Sequence, residues 1–126
     1  MSDLEEKVYS AVETYFKAFD DIQPSLAVRH LYFPSCDIVE KDLVSIFRYK
    51  KDQLQQELVK FATDRYKRSF ISKRIEFLSD NVALVWWKDS IESERFTGEE
   101  ERFFILCQDK YGLWKIASSY TKPIQK

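Results

Sequence analysis

Trp86 and Trp87 stand side by side at the end of an apolar run, residues 82–87, which follows the turn signal Asp80-Asn81. Successive side chains of an extended strand point to opposite faces of a sheet, so the two indoles diverge. Leaving a tryptophan's roughly 150–250 Å² in water instead of burying it forgoes on the order of 4–6 kcal/mol at about 25 cal/mol per Å². Other parts of the protein, or a second protein molecule, must therefore bury both faces of this strand.

A second run, residues 103–107, has the same two-sided pattern, because its side chains are apolar at every position. Helices can cover one face of a sheet built from these strands, and no further segment remains for the other face. The free energy at stake is comparable with the whole stability of a small domain. We therefore predict a homodimer that forms through the outer face of the sheet. The alternative is a strongly rolled sheet whose own edge covers part of that face.

Alternation does not decide which of the two indoles faces the helices. We assign Trp86 to the inner face, as part of a pocket wall, and Trp87 to the outer face. The predicted dimer interface then consists of Trp87, Val85 and Phe104.

The first half of the chain carries mainly helical spacing. Apolar residues recur every three or four positions from 4 to 19, after a Ser-x-x-Glu capping box that starts at Ser2. Pro24 suits the first turn of a second, short helix that ends near residue 31. Asp52 is placed to cap a third helix, which continues to about residue 62. We therefore predict three helices in this half.

Strand patterns occur between the second and third helices and again from residue 69 onward. Two short apolar runs, 38–39 and 43–47, are separated by charged residues and indicate a hairpin. From residue 69 the period becomes alternating, with Ile71, Ile75 and Phe77 on one face. Further strands are predicted at 82–87, 103–107 and 113–120. The chain is predicted to be a single α+β domain over residues 1–126, with three helices packed in a strongly curved, mostly antiparallel sheet.

Charge and cysteine content exclude several classes of function. The net charge is −1, so no overall field favours nucleic acid or an anionic membrane. The basic stretch over residues 65–74 is interpreted as a solvated surface, which makes nucleic acid an unlikely partner. Cys36 and Cys107 follow no metal or redox spacing, and the start of the chain, MSDLEEK, lacks the apolar segment of a secretory leader. We expect a cytoplasmic protein with no metal, no cofactor and no membrane span.

Three segments carry a resemblance to a known family: residues 12–21 (VETYFKAFDD), 27–39 (AVRHLYFPSCDIV) and 109–120 (DKYGLWKIASSY). Their order, together with the chain length, resembles the nuclear transport factor 2-like superfamily, which includes ketosteroid isomerase and polyketide-cyclase-like proteins. The resemblance implies a curved, cystatin-like sheet wrapped round helices, a cone with an internal pocket, and dimerisation through the outer sheet face.

No catalytic set of that superfamily is complete in this sequence. The ketosteroid isomerase pattern implies a tyrosine on the first helix, which Tyr15 matches, and a base at a position that falls near Glu40 or Lys41. Its buried acid on a late strand would fall at about Phe104, which is not an acid. Scytalone-dehydratase-like chemistry uses two histidines, whereas His30 stands alone. Limonene-epoxide-hydrolase-like chemistry uses an Asp-Arg-Asp set, to which Asp89 beside a lysine is the nearest approach.

Candidate residues are therefore named individually. The candidates for acid-base catalysis are Tyr15, His30, Asp37, Glu40 and Asp89. The residues predicted to line a pocket are Tyr15, Phe19, Tyr32, Phe47, Phe61, Trp86, Arg102 and Tyr120. Each has an ordinary alternative, which is core packing for the aromatic residues and a turn or cap hydrogen bond for the polar ones.

Two hypotheses of function follow. The first is a protein that binds a small apolar molecule in an aromatic-lined pocket, either without chemistry or as a cofactor-independent isomerase, dehydratase or cyclase. The second is a non-catalytic protein-interaction module whose pocket is filled by its own aromatic side chains. The absence of a complete catalytic set favours binding without chemistry.

Overall fold

The computed structural model describes residues 3–20, 31–41, 43–49, 67–92 and 97–125. These residues form one helix and six strands: α1 (Asp3–Asp20), β1 (Leu31–Lys41), β2 (Leu43–Tyr49), β3 (Lys67–Ser79), β4 (Val82–Glu92), β5 (Thr97–Gln108) and β6 (Trp114–Gln125). The predicted second and third helices lie outside the described residues, except that Leu31 belongs to β1 and not to a helix.

The six strands form one sheet in the order β2-β1-β6-β5-β4-β3. All neighbouring pairs are antiparallel except β1 and β6, which run parallel. The predicted hairpin of β1 and β2 is confirmed, with Asp37 opposite Phe47. The predicted mostly antiparallel sheet is confirmed. The predicted helical cover of one face is confirmed for α1, which packs against that face.

Helix α1 forms because its apolar residues share one stripe and its ends suit the helix dipole. Acidic residues occupy the first turn, and Lys17 lies in the last turn. The stripe buries Val8, Val12, Tyr15 and Phe16 against the sheet. Each fully buried apolar side chain contributes about 1.5–3 kcal/mol, so α1 is held mainly by this packing. None of the helices in the described part of the chain is long and apolar enough to span a membrane.

Side chains of β4 alternate between the two faces as predicted, but the residues assigned to the outer face point inward and Trp86 points outward. Val85 and Trp87 are buried in the core beneath α1, and Phe104 of β5 lies directly opposite Val85 in the same core. The assignment of these three residues to an outer dimer interface is therefore wrong. Trp86 lies on the outer face, half-buried, so its assignment to a pocket wall is also wrong.

The outward indole of Trp86 is partly covered by its own chain. The guanidinium of Arg74 lies 4.5 Å from the centre of the Trp86 ring. The indole Nε1 donates a hydrogen bond to Oε1 of Glu101 at 2.6 Å. A second molecule is therefore not the only source of cover for this side chain.

A β-bulge in β3 changes which residues face the core. In β3, Phe70 pairs with Asp89 and Ser72 pairs with Lys88, so Ile71 is an extra residue without a partner. Ile71 is 44% exposed, whereas Ile75 and Phe77 are partly buried against the core. The bulge moves the residues before it by one position, which turns Arg68 and Phe70 toward the helix-covered face.

Another bulge lies in β6 at Ala117, between the pairs Ile105–Ser118 and Leu106–Ile116. Beyond it, Ser119 and Thr121 are buried on the inner face. Tyr120 lies on the outer face, where its ring is 6.4 Å from that of Phe103. The predicted place of Tyr120 in a pocket wall is therefore wrong.

Candidate functional site

Five charged side chains lie together on the helix-covered face of the sheet, beside the C-terminal end of α1. They are Asp20 of α1, Arg68 of β3, Asp89 of β4, and Glu100 and Arg102 of β5. We call them the charged cluster. No side chain among them is more than 13% exposed. Buried charges are costly unless they are paired and hydrogen-bonded, so the pairing within the cluster determines what it can do.

Arg68 joins the helix to two strands. Its Nε and Nη2 donate to the two carboxylate oxygens of Asp20 at 2.7 and 3.1 Å, which is a bidentate pair. Its Nη1 donates to Oδ2 of Asp89 at 3.0 Å and to Oε1 of Glu100 at 3.1 Å. Burial by itself would lower the pKa of Arg68, but the hydrogen bond to Asp20 and the charges of the three carboxylates raise it overall. Arg68 is therefore a permanent cation.

Asp89 is the most deeply buried member, at 2% exposed. Its Oδ1 accepts a hydrogen bond from Nε1 of Trp87 at 2.9 Å, and its Oδ2 accepts one from Arg68. Burial raises the pKa of Asp89, and the nearby charge of Glu100 adds to this, although Arg68 and Trp87 act against it. The net pKa lies above that of an ordinary aspartate, so Asp89 holds a proton more readily than a surface carboxylate does.

Glu100 lies directly opposite Asp89 in the β4–β5 register, and its pKa is shifted in the opposite direction. Its Oε1 accepts hydrogen bonds from Arg68 and from Nε of Arg102. Burial favours the protonated form, but the charges of Arg102 and Arg68, with their hydrogen bonds, lower the pKa of Glu100 overall. The two adjacent carboxyl groups therefore differ in proton affinity, an arrangement in which one can act as acid or base while the other stays ionised.

Aromatic side chains form the surroundings of the cluster. The Phe16 ring lies 4.2 Å from the guanidinium carbon of Arg68 and 5.2 Å from that of Arg102. Phe16 also packs against Trp87, with the ring centres 5.7 Å apart. These faces keep water away from the charges and strengthen each electrostatic interaction.

Thr121 adds an unpaired polar atom next to the cluster. It pairs with Arg102 in the β5–β6 register and is buried. Its Oγ1 has no hydrogen-bond partner within the part of the chain that the structure describes. A buried hydroxyl without a partner costs free energy, and a bound molecule can supply that partner.

The structure brings some of the predicted residues together and not others. Tyr15, Asp89 and Arg102 lie on the inner face, with Tyr15 packed edge-on against Phe104. Asp37 and Glu40 lie on β1, where Asp37 pairs in register with Ser119 of β6. The structure describes the backbone but not the side chains of five predicted residues: Phe19, Tyr32, Asp37, Glu40 and Phe47. Two further predicted residues, His30 and Phe61, lie outside the described residues.

Sequence reasoning missed Asp20, Arg68, Glu100 and Thr121. Arg68 was predicted to be part of a solvated basic stretch, and only the bulge at Ile71 turns it inward. A signal did exist in β4 and β5, because Asp89 is in phase with Val85 and Trp87, and Glu100 is in phase with Phe104. A charged residue that continues the phase of a buried strand face is itself expected to be buried. Among the described residues, no group of three or more histidine, cysteine or acidic side chains is arranged to hold a metal ion.

Comparisons with known proteins identify the fold. No family model and no curated protein matches the sequence. A ketosteroid isomerase-like protein from Erwinia carotovora atroseptica superposes with a TM-score of 0.75 at 14% identity, covering 100% of both chains. An uncharacterised protein with a cystatin-like fold from Caulobacter vibrioides gives 0.76 at 11% identity, covering 96% of this chain and 89% of that one.

ActVI-ORFA from Streptomyces coelicolor gives a TM-score of 0.74 at 10% identity, covering 97% of this chain and 98% of that one. At such identities the likeness concerns the fold alone. The chain therefore has a cystatin-like fold, which is the fold implied by its resemblance to the nuclear transport factor 2-like superfamily.

Proposed function

We propose that this protein binds a small organic molecule on the helix-covered face of its sheet, beside the charged cluster, and that Asp89 exchanges a proton with that molecule. The reaction type is that of a cofactor-independent isomerase, dehydratase or cyclase. The observation that carries the proposal is the burial of five charged side chains among aromatic rings, with opposite pKa shifts on Asp89 and Glu100.

Joining a helix to a sheet through buried charges costs desolvation free energy that apolar packing would not. Replacing a buried ion pair by well-packed apolar residues is often neutral or stabilising, so packing alone does not call for this cluster. Groups whose pKa is shifted by burial together with a specific charged partner occur preferentially at functional sites. The Oγ1 of Thr121 supports the same conclusion, because no described residue pairs with it and a ligand can supply the hydrogen bond.

The cluster also suggests which group does what. Asp89, with its raised pKa, is the proton donor or acceptor. Arg68 and Trp87 fix the orientation of its two oxygens. Glu100 stays ionised between Arg68 and Arg102 and balances their charge. A ligand that reacts here needs an acidic C–H bond or a hydroxyl leaving group within hydrogen-bond reach of Asp89.

The test has two stages. A thermal-shift screen of small carbonyl and hydroxyl compounds should give ligands that stabilise the wild-type protein by mass action. Incubation of each hit in D₂O, followed by NMR, should show deuterium entering the ligand with the wild-type protein and not with Asp89→Asn. A matched control is Asp109→Asn, since Asp109 lies in the exposed β5–β6 turn.

Hits that bind without exchange would contradict the proton-transfer role and leave a binding protein. A screen of the wild-type protein without hits would overturn the binding role as well.

A second proposal concerns assembly. The outer face of the sheet carries Phe103 and Ile105, which are 38% and 40% exposed, next to half-buried Leu84, Trp86 and Tyr120. These residues lie on the adjacent strands β4, β5 and β6 and form a continuous apolar surface. We propose that a second copy of this chain covers this surface, in place of the Trp87 interface that the sequence suggested.

A further inference from the structure

Lys73 of β3 places its ammonium group among three aromatic rings. Its Nζ lies 4.3 Å from the centre of the Tyr9 ring and 5.4 Å from the centres of the Phe70 and Trp87 rings. We call these three rings the aromatic cage. A cation within about 6 Å of a ring centre is attracted by the negative face of the ring, and tryptophan and tyrosine attract it most strongly.

The cage is a built feature, assembled from three elements. Tyr9 of α1 and Trp87 of β4 are both buried, and their rings meet edge to face at 6.2 Å between centres. Phe70 contributes the outer wall: it is 56% exposed and packs edge-on against Trp87 at 5.3 Å. The bulge at Ile71 is what brings Phe70 to the same face as Lys73. Two walls of the cage are therefore buried in the core, and the third is open to solvent.

The present occupant is weakly held. The side chain of Lys73 is 24% exposed, and its ion pair with Glu13 is long, at 3.5 Å, to a side chain that is 56% exposed. Such surface pairs contribute at most about 1 kcal/mol. A lysine ammonium is strongly hydrated and sits on a flexible stem. A ligand cation that takes over the contacts with the three rings can therefore displace Lys73 from the cage.

We propose that the aromatic cage of Tyr9, Phe70 and Trp87 is a binding site for a small quaternary ammonium compound, and that Lys73 occupies it while no ligand is bound. The site is separate from the charged cluster, although both use Trp87, whose ring faces the cage while its Nε1 donates to Asp89. The proposal does not depend on the function proposed for that cluster.

A quaternary ammonium fits the cage better than Lys73 does for two physical reasons. Its charge is spread over alkyl groups, so it loses less hydration than an ammonium on entering. Its alkyl groups also contact all three rings at once, which is how aromatic cages recognise choline and methylated lysine. Glu13 at the rim supplies an anionic side chain on the solvent side.

The experiment compares choline with 3,3-dimethylbutan-1-ol, which has the same shape and no charge. Both are titrated into the wild-type protein and into Lys73→Ala, and the indole N–H signals are followed by NMR. Trp86→Phe and Trp114→Phe in the same background identify the signals of the other two tryptophans, so that the remaining indole signal belongs to Trp87. Choline should shift the Trp87 signal in both proteins, with tighter binding to Lys73→Ala, since the competing cation is gone. Choline should bind about five-fold to thirty-fold more tightly than the alcohol, the range expected for a desolvated cation–π contact.

Two controls complete the design. Lys73→Arg keeps a cation in the cage and should bind choline no better than the wild type. Arg74→Ala removes the neighbouring cation from Trp86 on the outer face and should leave choline binding unchanged. Equal affinity for choline and the alcohol would overturn the proposal, because it would indicate an apolar hole and not a cation site. The absence of a Trp87 shift in a folded Lys73→Ala protein, or in the wild type if that variant does not fold, would overturn it as well.

Discussion

Arg68 shows how much one side chain contributes to the organisation of this molecule. Its five-donor guanidinium makes hydrogen bonds to three carboxylates from three different elements, so helix α1 and strands β4 and β5 meet at one residue. A lysine at this position would supply the charge but not the planar fork that holds Asp20 at two atoms. Asp89 depends on this contact, because Arg68 and the Trp87 indole occupy its two oxygens.

The first prediction is that Arg68→Met strongly destabilises the fold. Removing this cation leaves the carboxylates of Asp20 and Glu100 buried with fewer partners, a change that typically costs about 3–5 kcal/mol. Chemical denaturation monitored by tryptophan fluorescence measures the loss. Arg74→Met, on the outer face of the same strand, is the matched control and should cost less than about 1 kcal/mol. Equal losses in the two variants would show that the cluster is not a special source of stability.

The second prediction concerns the pH dependence caused by Asp89. Its folded-state pKa is raised by burial, so the folded protein binds this proton more tightly than the unfolded chain does. The stabilisation is present at low pH and is lost as the pH rises through the raised pKa. The free energy of unfolding of the wild type minus that of Asp89→Asn should therefore decrease from pH 4 upward. Urea titrations at several pH values measure it, and a difference that grows with pH would contradict the assignment.

At the scale of secondary-structure elements, the β-bulges are the decisive features. Strand β3 starts with Arg68 and Phe70 on the inner face and continues there with Lys73, Ile75 and Phe77, which regular alternation does not permit. The extra residue Ile71 resolves the conflict. It brings one cation into the charged cluster and one ring into the aromatic cage. Bulges are often found next to functional sites, where they re-aim a side chain in this way.

The third prediction is that deletion of Ile71 removes Arg68 from the cluster. Restoring regular pairing would turn residues 67–70 over, so Arg68 would face outward and the buried carboxylates would lose their cation. Stability should fall by an amount similar to that of Arg68→Met. Ile71→Ala keeps the extra residue and should stay within about 0.5 kcal/mol of the wild type, because the side chain is largely exposed. A deletion variant as stable as Ile71→Ala would show that the bulge does not hold Arg68 in place.

At the scale of the whole molecule, the sheet has two faces of different character. The inner face carries the apolar core, the charged cluster and the aromatic cage beneath α1. The outer face carries an apolar surface around Phe103 and Ile105, bordered by charged side chains such as Arg74 and Lys122. An apolar surface rimmed by polar residues is typical of a protein-protein interface.

The fourth prediction is that Ile105→Glu weakens self-association. A glutamate in the middle of an apolar interface would be buried without a partner, so the proposed dimer should dissociate at micromolar concentration. Sedimentation velocity measures the change. Tyr111→Glu, in the exposed turn between β5 and β6, is the control and should leave the wild-type behaviour unchanged. A wild-type protein that sediments as a monomer would contradict the dimer.

The sequence by itself determined the period of each element, and with it the class of fold. Helical spacing in α1, the hairpin of β1 and β2, and the two-sided strand with its divergent indoles all follow from local geometry. The likeness of three segments to the nuclear transport factor 2-like superfamily was a separate source of the predicted fold. Tyr15, Asp89 and Arg102 were named from the sequence, and the structure places them on the inner face.

Only the tertiary structure decided which face of each strand turns inward. Because side chains alternate along a strand, Trp86 and Trp87 must point to opposite faces of the sheet. Which of the two faces is the inner one depends on where α1 packs. A single extra residue inverts that sense for everything on one side of it, as Ile71 does for Arg68 and Ala117 does for Tyr120. The charged cluster is made of residues far apart in the chain, and the pairing register that joins them is a property of the folded sheet.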